Sequence, residues 1–174
     1  MDNDKQRLFF ALSPDDKSLE SIVALQQQYN SKDGKWTKRE NLHATLYFLG
    51  NISENDLDCV LAKVRQIKHQ PFSLCFDKTG IFKRSGILWL GAQENTEDIL
   101  LLYKKLCFAL LECHFELEKR PYTPHITLAR KFKGKPDINP FEPICFPVHK
   151  ISLLASIPII GGVEYHIVEN ISLT

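Results

Sequence analysis

Two copies of one short pattern constrain this 174-residue chain more than any other feature. Asn41-Leu42-His43-Ala44-Thr45-Leu46-Tyr47-Phe48-Leu49-Gly50 and Arg120-Pro121-Tyr122-Thr123-Pro124-His125-Ile126-Thr127-Leu128-Ala129-Arg130 both contain His-x-Thr-Leu, and the two histidines stand nearly half a chain length apart. Successive side chains of a strand point to opposite faces, so His-x-Thr sets an imidazole and a hydroxyl side by side, with apolar residues behind them. In the first copy His43, Thr45 and Tyr47 share a face against Leu42, Ala44, Leu46 and Phe48; in the second His125 and Thr127 oppose Ile126 and Leu128. The expectation is two similar halves that meet at these strands.

Such a meeting gathers two imidazoles and two hydroxyls in one cleft, a set suited to a phosphodiester. One imidazole can take a proton from an attacking water or hydroxyl while the other protonates the departing oxygen. The hydroxyls can donate to the non-bridging oxygens, where charge accumulates as phosphorus becomes five-coordinate. This chemistry calls for no metal and no cofactor. A single His-x-Thr would carry almost nothing, because a strand threonine is commonly just a β-branched strand former. Two copies in matching apolar settings are specific.

With Arg7-Leu8-Phe9-Phe10-Ala11-Leu12 upstream, Glu40 before the first copy and Arg130 after the second, the pattern resembles the two-histidine phosphoesterase superfamily. Within it, the chain is most similar to the bacterial RNA 2′,3′-cyclic phosphodiesterases, also called 2′-5′ RNA ligases. The resemblance runs from about Arg7 to about Arg130 and weakens beyond. It implies the family's fold and the opening of a terminal 2′,3′-cyclic phosphate at the 3′ oxygen to leave a 2′-phosphate. It also implies catalysis by His43 and His125, with phosphate contacts from Thr45, Thr127 and Arg130. His43 is assigned as proton donor and His125 as proton acceptor, although the symmetric pattern admits the reverse order. Strict alternation puts Arg130 on the Ile126–Leu128 face, so it reaches the phosphate only where the strand bends or ends. Phe10 is a candidate base-stacking residue, with Phe9 on the opposite face, and Tyr47 a further cleft residue. The implied partners are RNA ends or nucleotides bearing a 2′,3′-cyclic phosphate, bound by a monomer without membrane or metal.

Along the rest of the chain, Arg7 to Leu12 reads as a strand, and Ser13-Pro14-Asp15-Asp16 as a helix start with Ser13 as N-cap. Leu19, Ile22, Val23 and Tyr29 follow at helical spacing, then the strand His43 to Leu49. Ser53 and Asp56 cap a second helix through Leu57, Val60, Leu61, Val64 and Ile67. Phe72 to Phe76 and Ile87 to Gly91 read as strands of one hairpin. A helix from Asn95 or Thr96 to about Cys113 is apolar around much of its circumference, which predicts burial between layers. Lys133 to Pro147, rich in proline, reads as loop, and Ile151 to Ser156 and Tyr165 to Leu173 as closing strands. The fold expected is α+β: one domain over residues 1–174, in two pseudo-symmetric lobes of antiparallel strands and helices around a central cleft.

A net charge of +1 excludes a whole-molecule trap for nucleic acid. Affinity for polyanions is left to local groups such as Lys35, Lys38 and Arg39 before the first motif and Lys131, Lys133 and Lys135 after the second. Five cysteines, Cys59, Cys75, Cys107, Cys113 and Cys145, make an odd set without C-x-x-C, read as reduced, packed thiols of a cytosolic protein. Met1-Asp2-Asn3-Asp4-Lys5 is too charged to open a signal peptide, which again predicts a cytoplasmic protein. Competing readings are a 2′-5′ RNA ligase, a phosphodiesterase of 2′-5′ oligonucleotides, and a noncatalytic RNA-end binder. ATP-dependent ligation is disfavoured, because no G-x-x-x-x-G-K-[ST] loop is present and Lys32-Asp33-Gly34 lacks the spacer of K-x-D-G.

Overall fold

A computed structural model describes residues 5–136 and 140–174; Met1 to Asp4 lie outside them. Strand β1 (Gln6–Leu12) leads through helix α1 (Asp16–Gln26) and the short β2 (Lys35–Trp36) to β3 (Ala44–Ile52). Helix α2 (Glu54–Val64) precedes β4 (Phe72–Phe76), β5 (Lys78–Phe82) and β6 (Ile87–Gly91). Helix α3 (Glu97–Leu111), β7 (His125–Arg130), β8 (Ile144–Val148), β9 (Lys150–Ile159) and β10 (Gly162–Ser172) complete the order. Helix α1 starts two residues later than the sequence suggests: Asp15, not Ser13, is the N-cap, its carboxylate accepting from Ser18 N–H at 2.8 Å. Ser53 caps α2 as expected, accepting from Asp56 N–H at 3.2 Å.

The main sheet runs β10-β9-β1-β3-β7-β6-β5, with β2 added against β7 and every pairing antiparallel. Leaving β2 aside, four strands lie on one side of the β3–β7 seam and three on the other, so the two motif strands are central neighbours in an α+β fold. One face of the sheet packs against the helices through Phe10, Leu12, Ile22, Val60, Leu90, Leu102, Ile126 and Leu153, all essentially buried. The opposite face carries a smaller cluster of Phe9, Ala11 and Leu154, with Tyr165 packed against it.

Several expectations are corrected here. Phe72–Phe76 and Ile87–Gly91 do not form a hairpin: β4 pairs with β8, and β6 pairs with β5, a strand within a stretch whose sequence reads as turn. The tight turn Lys83-Arg84-Ser85-Gly86, with Gly86 at φ +62°, gives β6 a nearer partner. Strand β8 lies in the proline-rich segment that reads as loop, but β8 pairs on one side only, and a proline such as Pro147 is tolerated on such an edge. Helix α3 is not buried all round. It hides Ile99, Leu102, Leu106 and Leu110 while Leu101 and Phe108 stay 47% and 67% exposed. The cysteines are not all reduced: Cys59–Cys113 and Cys75–Cys145 are disulfides, and buried Cys107 is free. Their partners are far apart in sequence and are brought together only by tertiary pairing, Cys75 standing directly opposite Cys145 in the β4–β8 register. The compartment argument that rested on free thiols falls with them. Among the described residues no helix is long and apolar enough to cross a membrane.

Candidate active site

The seam between β3 and β7 is narrow. Its register pairs Ala44 with Ile126, and one residue further on each side sets His43 beside Thr127 and Thr45 beside His125. The two motifs therefore face each other head to tail. The loop before β7 reinforces this contact: Tyr122, stacked on Tyr103 with ring centroids 4.2 Å apart, donates its hydroxyl to the Thr45 carbonyl at 3.0 Å.

Each imidazole is oriented in the same way. His43 Nδ1–H donates to the Asn41 carbonyl at 2.7 Å, and His125 Nδ1–H donates to the Thr123 carbonyl at 2.7 Å. A carbonyl can only accept, so Nδ1 carries the proton and Nε2 presents its lone pair in both rings. Thr45 Oγ1 lies 2.9 Å from His43 Nε2 and donates to it. The carbonyl that fixes His43 is itself anchored, since Asn41 Nδ2 donates to the Val163 carbonyl at the start of β10 at 2.8 Å.

Strict alternation fails at two bulges, and both reshape the site. Between β1 and β3 the register passes from Ala11–Thr45 to Phe10–Tyr47, skipping Leu46. The extra residue turns Tyr47 into the core, where its hydroxyl donates to the Glu116 carbonyl, and turns Phe48 out, 62% exposed. Tyr47 is thus not a cleft residue. Between β6 and β7 the register passes from Trp89–Thr127 to Leu88–Ala129, skipping Leu128. Leu128 and Ala129 are both buried in succession, and Arg130 falls on the His125–Thr127 face. The Leu128 carbonyl at this bulge accepts from Gln26 Nε2 at 2.9 Å and from Thr37 N–H at 2.9 Å, while Gln26 also donates to the Thr37 carbonyl at 3.0 Å.

Phe10 is a second correction: fully buried in the main core, it cannot stack a base. Its neighbour Phe9 takes the cleft face, with ring centroids 5.0 Å from His43, 4.9 Å from Tyr165 and 5.7 Å from Phe48. Tyr165 also meets His43 edge-on at 5.0 Å. On the other side Phe82 meets His125 edge-on at 5.1 Å and leans on Trp89 at 5.5 Å. Trp89 lies flat over Gly80 and Gly91, where an added Cβ would come within 2.2 Å and 2.6 Å of the indole. Tyr165 and Phe82 were missed because neither adjoins a motif in sequence.

The electrostatics favour neutral imidazoles in the cleft. Burial pulls the His43 pKa down to about 4; the positive charge of Arg130 and the proximity of His125 push the same way, while the Asn41 hydrogen bond opposes them. His125 is lowered by burial and by Arg130, against the Thr123 hydrogen bond. Arg130 is therefore near enough to act on both rings. Among the described residues, no three His, Cys, Asp or Glu side chains gather as metal ligands would.

The chain is similar to known proteins in sequence and in fold. The 2′-5′ RNA ligase superfamily model matches residues 14–156. The RNA 2′,3′-cyclic phosphodiesterase of Methanocaldococcus jannaschii is 32% identical over 127 residues, covering 71% of this chain and 70% of that protein. The Bacillus subtilis protein of the same name is 37% identical over 117 residues, covering 62% of this chain and 63% of its own. Escherichia coli LigT, solved in apo form and with 3′-AMP, superposes with a TM-score of 0.91 in both at 28% identity, spanning 99% and 98% of this chain and 99% of each structure. With its paired motifs at a shared seam and this match over most of its length, the chain belongs to the 2′-5′ RNA ligase superfamily.

Proposed function

We propose that this protein is an RNA 2′,3′-cyclic phosphodiesterase that works without a metal, as a monomer, through one site shared by its two halves. The observation that carries the reading is the head-to-tail meeting of two identically oriented imidazoles, each beside the other motif's threonine, with Arg130 on the same face. In this reading, Arg130 and the Thr45 and Thr127 hydroxyls hold the non-bridging oxygens of the cyclic phosphate. His125 Nε2 takes the proton of the attacking water, and His43 delivers a proton to the departing 3′ oxygen, leaving a 2′-phosphate. His43 must be charged to do so. The anionic phosphodiester supplies that condition, because it neutralises Arg130 and favours an imidazolium beside it.

The pH dependence follows from these shifts. Both free-enzyme pKa values lie below the ordinary 6.5, that of His43 near 4. The profile of kcat/KM, which reports the free enzyme, is expected to be a bell with both limbs below 6.5. Bound anion raises both values, so the kcat bell should lie at higher pH. Rates measured on a nucleoside 2′,3′-cyclic phosphate test this, with a 2′-5′-linked dinucleotide as the comparison substrate. A kcat/KM profile still rising through neutral pH, or turnover of the dinucleotide alone, would overturn the reading.

Gln26 enters the same scheme as a positioning residue, since its amide holds the bulge that turns Arg130 toward the cleft. Gln26→Ala should raise KM about tenfold, with a smaller change in kcat, as a misplaced phosphate ligand would. Equal losses in both parameters would contradict that role.

A further inference from the structure

The basic residues that flank the motifs separate once the fold is known. Arg39 is paired with Asp16 at 2.8 Å, Lys38 stands 4.0 Å from Glu40, and Lys35 Nζ donates to the Gly161 carbonyl at 3.1 Å. Lys131 and Lys133, by contrast, are exposed and make no ion pair among the described residues.

Tertiary structure adds two cations that sequence proximity does not. Lys83 and Arg84, both exposed and without an ion pair among the described residues, sit in the turn between β5 and β6. That turn is docked on the chain leaving β7: Phe132 N–H donates to the Gly86 carbonyl at 2.9 Å, and a Cβ on Gly86 would lie 3.6 Å from Lys131 Cα. Lys131 itself is held at φ 52° immediately after Arg130. Lys83, Arg84, Lys131 and Lys133 thus form a strip that continues from the phosphate end of the cleft. Asp33 is close to this strip, its carboxylate lying against Gly134. In a chain of net charge +1, four cations with no ion pair among the described residues are a local concentration, and they point to a polyanion longer than one phosphate.

We infer that Lys83, Arg84 and Lys131 hold the internucleotide phosphates of an RNA chain on the 5′ side of its reacting terminus, so that the protein acts on oligonucleotide ends in preference to single nucleotides. The inference rests on the cyclic phosphodiesterase reading. The reacting terminus supplies one phosphate to Arg130 and the histidines, and the remaining negative charge of an RNA end lies in the chain that leads up to it. A single-stranded phosphate neutralised by a basic side chain contributes about 0.7 to the slope of log affinity against log salt. Three such contacts set a slope of about 2.

The test compares the parent with a Lys83→Gln, Arg84→Gln, Lys131→Asn variant, asparagine being chosen because it tolerates the left-handed backbone at that position. Two measurements are made across a salt series. One is fluorescence anisotropy with a labelled short oligoribonucleotide ending in a 2′-phosphate; the other is kcat/KM on a nucleoside 2′,3′-cyclic phosphate. The expected result is that the variant binds the oligonucleotide tenfold or more weakly, its salt slope reduced by about 2, with kcat/KM on the mononucleotide unchanged. Unaltered oligonucleotide affinity and slope would overturn the inference, and so would equal losses on both substrates. If the parent turned over no cyclic phosphate yet bound the oligonucleotide with a slope lost in the variant, the catalytic reading would fail while the strip stood as an RNA-binding surface.

Discussion

Replacing either imidazole, His43→Ala or His125→Ala, is expected to lower kcat on a nucleoside 2′,3′-cyclic phosphate by about a thousandfold or more while leaving the fold intact. A positioned acid or base contributes roughly two to four powers of ten, and the two rings are proposed to act in one step. The double replacement should therefore cost little more than either single one, because groups that work as a unit are not additive. Folding is not at stake, since each ring stands at the cleft face and its backbone neighbours Ala44 and Ile126 supply the buried contacts. Circular dichroism and thermal melts on the same samples separate lost chemistry from lost structure. Near-parent turnover by either variant would remove that histidine from the mechanism.

The second large effect concerns stability. Phe10→Ala should destabilise the protein by about 3–5 kcal/mol, the usual cost of emptying a buried phenylalanine site. In a chain of this size that lowers Tm by roughly 10 °C. Phe10 is fully buried among the residues that join the sheet to the helices, so the loss should fall on unfolding and leave KM in the folded protein unchanged. Phe9→Ala should behave otherwise, because Phe9 packs on His43 and Tyr165, and its removal should also alter kcat. Scanning calorimetry with parallel kinetics distinguishes the pair. A Phe10→Ala protein as stable as the parent, but with a raised KM, would mean that the two faces of β1 have been exchanged.

What could be read from the sequence, and what could not, divides at the point where one strand's register depends on another. The motifs, the α+β class and most element positions follow from local pattern, and the meeting of the two His-x-Thr strands follows from their shared periodicity. The roles of Tyr47 and Arg130 do not. Alternation puts Tyr47 in the cleft and Arg130 behind it, and the opposite holds because Leu46 and Leu128 are extra residues relative to β1 and β6. A bulge is a property of two strands, and neither strand shows it alone. The same limit explains β4, whose partner β8 lies far along the chain, and Cys75, whose partner Cys145 is set by that pairing. Tyr165 reaches His43 only because β10 lies beside β9 and β9 beside β1.

Two histidines, unaided by metal, are proposed to direct water onto the phosphorus of a 2′,3′-cyclic phosphate and expel the 3′ oxygen. Incubating the protein with a nucleoside 2′,3′-cyclic phosphate in ¹⁸O-enriched water and excess chelator, then resolving the products by chromatography and mass, tests this mechanism. The expected result is the nucleoside 2′-phosphate, one ¹⁸O atom in its phosphate group, and the same rate with or without chelator. A 3′-phosphate product, a phosphate lacking the label, or activity abolished by chelation would contradict it.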